Sequence, residues 1–255
     1  MNYRPYIDYL LGWLETQRRE LYGWDGYVLG LSGGVDSALC AYLLKELAVP
    51  RLALLLPTAV NDGADLEHAR LVAENCGLEQ HTIDIQPAYQ LLLTSLGPLL
   101  NLTDERENVL RGNLMARLRM IYLFTAAHSR RALVLGTDNR AEMLMGYFTK
   151  FGDGAADVLP LAGLTKGQVF ALAKFLGVPA AILNKAPSAG LWVGQTDEDE
   201  MGVSYADIDR FLLGQPVGAA ARERIDYWHQ RSRHKRQLPP QPQSLAQFLA
   251  APSPN

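Results

Sequence analysis

A short apolar run, Tyr27 to Leu31, leads into Ser32-Gly33-Gly34-Val35-Asp36-Ser37, and Ala38-Leu39-Cys40-Ala41-Tyr42-Leu43-Leu44 then has the texture of a helix. A strand, a glycine-rich loop and a helix in that order place backbone N–H groups at a helix N-terminus, where orphan donors and the positive dipole end attract anions. Glycines let the main chain approach such a ligand closely, and Ser32 and Ser37 can add hydroxyl donors. Asp36 is the discordant residue. A carboxylate beside a polyphosphate is repelled unless a cation lies between them, which argues for Mg2+ bridging Asp36 and phosphate oxygens. The plain alternative is a tight turn with Asp36 as a helix cap. Neither Gly-x4-Gly-Lys-Ser/Thr nor Gly-x-Gly-x-x-Gly occurs, so the ordinary P-loop and Rossmann readings lack their motif.

Other chemistry-bearing residues are scattered. Gly136-Thr137-Asp138-Asn139 follows a second short apolar run, and Glu142 is an acid close behind it, to which the cation argument extends. Arg117 and Arg119 share a helical stretch but are two apart, so they point to different faces: one can reach an anion while the other pairs elsewhere. Lys166 opens a helix, where a cation is disfavoured unless an anion lies nearby. Lys150 and Asp157 flank a glycine-rich loop, and Arg231, Arg233, His234, Lys235 and Arg236 form a basic cluster that by composition alone reads as a solvated face.

The elements that must position these residues alternate. Ile7, Leu10, Leu11 and Leu14 recur at helical spacing; Tyr27–Leu31, Leu52–Leu56, His81–Ile85 and Ala132–Leu135 read as strands; Asp65–Cys76 and Asn108–His128 read as helices. Such alternation implies an α/β fold, a doubly wound parallel sheet flanked by helices, with ligands at the carboxyl ends of the strands near the switch in strand order. Thr165-Lys166-Gly167-Gln168 has capping-box spacing before a helix that Gly177-Val178-Pro179 stops. Lys185 to Glu200 has little periodicity and reads as a segment able to fold over a ligand. Residues 1–255 read as one domain with an extended tail from 237, where Leu238-Pro239-Pro240-Gln241-Pro242 occurs.

With 24 basic and 27 acidic residues, no global field recruits nucleic acid or an anionic membrane. The N-terminus lacks a signal-peptide core, no run approaches the roughly 20 apolar residues of a membrane span, and two cysteines are too few for a disulfide scaffold. The expectation is a soluble, cytoplasmic protein.

Ser-Gly-Gly-x-Asp-Ser resembles the pyrophosphate loop of the N-type ATP pyrophosphatases, which cleave ATP between its α- and β-phosphates and pass AMP to a substrate oxygen. Four further segments resemble the ammonia-dependent NAD synthetase family in particular: Arg111 to Met120; Gly136-Thr137 through Glu142 to Asp157; Lys185-Ala186-Pro187-Ser188-Ala189-Gly190-Leu191; and His234-Lys235-Arg236. The resemblance implies ATP contacts from Gly30, Leu31, Ser32, Gly33, Gly34, Val35, Asp36, Ser37, Thr137, Lys166 and Ser188. Of these, Asp36, Lys166 and Ser188 are implied to serve catalysis, and Asp36 and Glu142 to hold Mg2+. It implies deamido-NAD contacts from Arg117, Lys150, Asp157, His234 and Lys235, and a homodimer whose substrate site lies at the interface. One departure stands out. Family members often carry an arginine before a Leu-Pro pair after the second strand, whereas here the run is Leu54-Leu55-Leu56-Pro57-Thr58, and main-chain groups are expected to serve instead.

The implied reaction adenylates the nicotinate carboxylate of deamido-NAD and then displaces AMP with ammonia, giving NAD. Such chemistry needs positioning and charge neutralisation more than a protein nucleophile. The first strand begins near residue 27, leaving no room for the amidase domain of glutamine-dependent relatives, so free ammonia is the expected co-substrate. The rivals are another member of the superfamily with a different acceptor, and a non-catalytic adenine-nucleotide-binding module.

Overall fold

In the computed structural model, residues 1–20, 23–59, 63–100, 104–188, 190 and 194–250 are described. Four strands, β1 (Gly26–Gly30), β2 (Arg51–Leu55), β3 (Glu79–Thr82) and β4 (Ala132–Leu135), form one sheet in the order β3-β2-β1-β4. All three pairings are parallel, with Val28 opposite Leu52 and Val134, and Leu52 opposite Glu79. The chain moves outward from β1 to β3 and returns to the other side of β1 as β4. The strand order therefore switches between β1 and β4, where crossovers diverge and leave a crevice.

The twelve α-helices of the described residues are α1 (Arg4–Glu20), α2 (Val35–Lys45), α3 (Gly63–Cys76), α4 (Gln86–Leu96), α5 (Asp104–Ser129), α6 (Arg140–Met145), α7 (Lys166–Leu176), α8 (Ala180–Leu183), α9 (Asp197–Met201), α10 (Tyr205–Leu212), α11 (Ala219–Arg231) and α12 (Leu245–Ala250). Successive strand side chains point to opposite faces, so continuous apolar strands need cover on both. Tyr27, Leu29, Ala53, Leu55, Leu133 and Leu135 pack with buried residues of α1, α2, α3 and α7. Val28, Leu52, Leu54 and Val134 pack with Tyr89 of α4 and Met115 and Leu118 of α5. The sheet is thus doubly wound. A third apolar cluster, built from Met145, Met201, Ile208 and Ile225, joins α6, α9, α10 and α11.

Two expected elements differ. The third strand is Glu79–Thr82, mostly exposed, rather than His81–Ile85. As an edge strand it can be polar, and its charges discourage pairing with other chains; Ile85 instead starts α4 and is buried against the α5 side. The tail is not extended throughout, because Leu245–Ala250 is helical beyond the prolines; residues 251–255 lie outside the described residues. So do Ala189 and 191–193, which include Leu191 of the segment after Lys185. No helix of the described residues is long and apolar enough to cross a membrane.

Candidate active site

The loop after β1 joins a strand directly to a helix, the order its sequence implies. Gly33 is left-handed at φ +81°, and a Cβ there would collide with the backbone carbonyl oxygen of Asp65 in α3. Ser32 and Ser37 bridge the loop through their hydroxyls at 3.1 Å, and the Ser37 hydroxyl donates to the Gly34 carbonyl at 3.1 Å. Gly34 is the N-cap of α2 and offers no side-chain cap, while Asp36 lies inside the first turn. Its carboxylate is turned elsewhere, which decides against the plain capping reading.

That carboxylate faces the loop after β4. Asn139 Nδ2 donates to Asp36 Oδ1 at 2.9 Å, and the Asn139 side chain caps α6 by accepting from the amides of Ala141 and Glu142. Glu142 completes the capping box, its Oε2 accepting from the Asn139 amide at 2.9 Å. The other oxygens of both acids converge on one cation: Lys166 Nζ lies 2.7 Å from Asp36 Oδ2 and 3.0 Å from Glu142 Oε1. The three side chains are only 4%, 17% and 13% exposed, so the charges gain most from one another. Burial alone would push the Lys166 ammonium down, but the two carboxylates outweigh it and hold it above its ordinary range. Burial pushes the Glu142 carboxyl up to about 7 despite the lysine beside it.

Two groups support Lys166 at its unfavourable place on α7. The Asp209 carboxylate of α10 accepts from the amides of Lys166 and Gly167 at 3.0 and 2.7 Å, offsetting the helix dipole. The Tyr205 ring lies 4.7 Å from the ammonium, and its hydroxyl donates to Asp197 at 2.9 Å.

One cavity at the carboxyl ends of β1 and β4 gathers Gly30, Leu31, Ser32, Gly34, Val35, Asp36, Ser37, Thr137, Glu142, Lys166 and Ser188. Gly33 shapes the loop without lining it. Ser188 is held in place, its hydroxyl donating to the Gln195 carbonyl at 2.7 Å. The remaining expected residues do not line this cavity. Arg117, exposed, donates to the Lys150 carbonyl at 3.4 Å; Lys150 donates to the His234 carbonyl at 2.8 Å; Lys235 donates to the carbonyls of Gly146 and Phe148. These four meet around residues 146–151, whereas Asp157 accepts from the Val134 amide of β4 at 2.8 Å.

Several residues in the cavity escaped the sequence reading. Arg119 is the arginine of the α5 pair that turns inward, donating to the Leu56 carbonyl at 3.2 Å, at the strand end where no arginine was expected. Asp138 is buried and its Oδ2 has no partner among the described residues; burial first, then Asp153, Glu142 and Asp36, holds its carboxyl well above the usual range. Asp153 lines the same wall, and Lys185 and Asp65 pair at its rim. The signals available were the two-residue offset of Arg119 from Arg117 and the Asn139-x-x-Glu142 capping spacing.

Comparison with known proteins identifies the family of the chain. The sequence model of the family described as NAD synthase matches residues 6–239. An NH3-dependent NAD+ synthetase of Mannheimia succiniciproducens is 59% identical over 96% of this chain and 98% of its own. Among solved structures, one described as NMN synthetase from Francisella tularensis superposes with a TM-score of 0.89 at 50% identity, covering 95% of this chain and 99% of that one. The NH3-dependent NAD synthetase of Campylobacter jejuni, solved with a nitrate ion, gives 0.77 at 29% identity, covering 95% and 100%.

Proposed function

The chain belongs to the NAD synthase family, and from that premise we propose that its cavity adenylates the nicotinate carboxylate of deamido-NAD and lets ammonia displace AMP. It is a ligase that forms a C–N bond at the expense of ATP, the final step in making NAD. The observation that carries the reading is the convergence of Asp36 and Glu142 on buried Lys166 beside the loop of Ser32 to Ser37.

A carboxylate resists ammonia because oxide is a poor leaving group. In the first step a carboxylate oxygen bonds to the α-phosphorus of ATP, the bond from that phosphorus to the bridging oxygen breaks, and pyrophosphate leaves. In the second, ammonia adds to the acyl carbon, AMP departs with the bond electrons, and a proton is released. The loop amides and the hydroxyls of Ser32, Ser37 and Ser188 bind phosphate oxygens, and Thr137 the adenylate. Lys166 orients Asp36 and Glu142 and stabilises charge on the phosphates.

Charge supports a divalent metal. The described side chains lining the cavity include three cations, Arg119, Lys166 and Lys185, and two of them, Lys166 and Lys185, are already paired with carboxylates. A triphosphate entering such a wall needs further positive charge. Asp36 and Glu142 fit a hard cation that takes one or two carboxylates, phosphate oxygens and waters, which favours Mg2+. Bound there, the metal supplies charge neutralisation for the departing pyrophosphate.

On this reading Arg117, Lys150, Asp157, His234 and Lys235 serve the acceptor. The outward exposure of Arg117, Asp157 and His234 supports a homodimer in which a second copy completes that site. The two buried free cysteines support a reducing, cytoplasmic setting.

A second reading, that nicotinate mononucleotide is the acceptor, is favoured by the likeness to the structure described as NMN synthetase, higher in both identity and TM-score than that to the Campylobacter jejuni enzyme. Incubation with ATP, Mg2+, ammonium and either acceptor, followed by mass spectrometry, separates the two. The first reading expects NAD, AMP and pyrophosphate, with the dinucleotide preferred in kcat/KM. A preference for the mononucleotide selects the second, and no amide from either acceptor sinks both.

A further inference from the structure

We propose that Lys185 is a pyrophosphate-binding residue, stored on Asp65 until the nucleotide enters. The inference rests on the reading of the cavity as an ATP site and adds a residue to it.

Lys166 shares its charge with Asp36 and Glu142 and is 4% exposed, so charge developing on the leaving group calls for a further cation beside it. Two more line the cavity among the described residues. Arg119 reaches it from α5 and contacts the end of β2. Lys185 lies on the loop side: it pairs with Asp65 of α3, and the Asp65 carbonyl oxygen packs against Gly33 of the phosphate loop. The ammonium is therefore held one residue away from the loop that is to receive the β- and γ-phosphates.

The pair is built to exchange. Lys185 is 32% exposed against 4% for Lys166, so its ammonium is the more open to water of the two and gives up less on leaving its carboxylate. A lysine is a compact point charge on a flexible stem, suited to move from one carboxylate to a more highly charged pyrophosphate. Lys185 also leads into Pro187 and Ser188. The Pro187 carbonyl accepts from the Asp197 amide at 3.3 Å and the Ser188 hydroxyl from the Gly190 amide at 3.1 Å. A pull on Lys185 thus acts on the segment that carries Ser188. Once product forms, Asp65 competes for the ammonium again and favours release.

Binding of magnesium pyrophosphate to the full-length protein, measured by calorimetry, tests this. Lys185→Met should weaken binding roughly tenfold or more, the typical effect of losing a charge-assisted contact, and Lys185→Arg should recover part of it. Asp65→Asn should act in the opposite direction, tightening binding by freeing Lys185. Equal weakening by Lys185→Met and Asp65→Asn would make the ion pair a structural clasp and overturn the proposal, as would unchanged binding in Lys185→Met; thermal melting of each variant confirms that it folds. Pyrophosphate binding needs no acceptor. Lys185-dependent binding by a protein that makes no amide would therefore strike the functional reading and leave this one standing.

Discussion

Replacing Lys166 with methionine separates the fold from the metal. The substitution leaves Asp36 and Glu142 facing each other, 17% and 13% exposed, without the cation that both contact. Removing one partner of a buried ion pair costs about 3–5 kcal/mol. The low end applies, because Glu142, already raised to about 7, can take up a proton. In a chain of this size about 3 kcal/mol corresponds to a fall in Tm of roughly 6–12 °C. The same vacancy gives a divalent cation two carboxylates with no competing ammonium. Mg2+ at about a hundred times its Kd would return about 2.7 kcal/mol, most of the loss. Without nucleotide, differential scanning calorimetry with and without Mg2+ should show a metal-dependent Tm in Lys166→Met and a nearly metal-independent one in the unmodified protein, where Lys166 occupies both carboxylates until phosphate oxygens complete the metal's shell. Equal Tm values without metal, or equal shifts with it, would refute the reasoning. Turnover should be lost in the variant under both conditions.

Gly33→Ala should lower stability by roughly 2 kcal/mol or more and raise KM for ATP, since the residue is left-handed and its Cβ would meet the Asp65 backbone; melting and initial rates check both. Glu142 gives a pH signature. Its folded carboxyl titrates near 7 against an ordinary 4.5, so between those values the folded state holds a proton that the unfolded state has released. Its contribution to stability is present below about pH 4.5, falls as pH rises to about 7 and is constant above. Urea unfolding across that window should lose this downward component in Glu142→Gln, and an unchanged slope would count against the burial argument.

What the sequence disclosed followed from how local each feature is. The loop after β1 was legible because its glycines, hydroxyls and flanking apolar runs are adjacent, and the switch-point crevice followed from the alternation of elements. The convergence at Lys166 was not, because its partners lie 130 and 24 positions away and only the fold unites them. The discordant charge of Lys166 at a helix start was a true signal, yet its answer came from Asp209 on another helix as well as from Asp36 and Glu142. Spacing showed that Arg117 and Arg119 diverge; which one faces the crevice depends on how α5 lies against the sheet, and it is Arg119. The third strand was misplaced because alternation marks buried strands, and β3 is a polar edge. Prolines masked the helix at Leu245–Ala250 by dominating the composition just before it.

The central step is attack by the acceptor's carboxylate on the α-phosphate beside the loop of Ser32 to Ser37. An acceptor labelled with 18O in its carboxyl group, incubated with ATP, Mg2+ and ammonium, tests this directly by mass spectrometry of the products. Attack at the α-phosphorus predicts one 18O in AMP for each amide formed and none in pyrophosphate. Label in pyrophosphate or inorganic phosphate, or amide formed with unlabelled AMP, would contradict it.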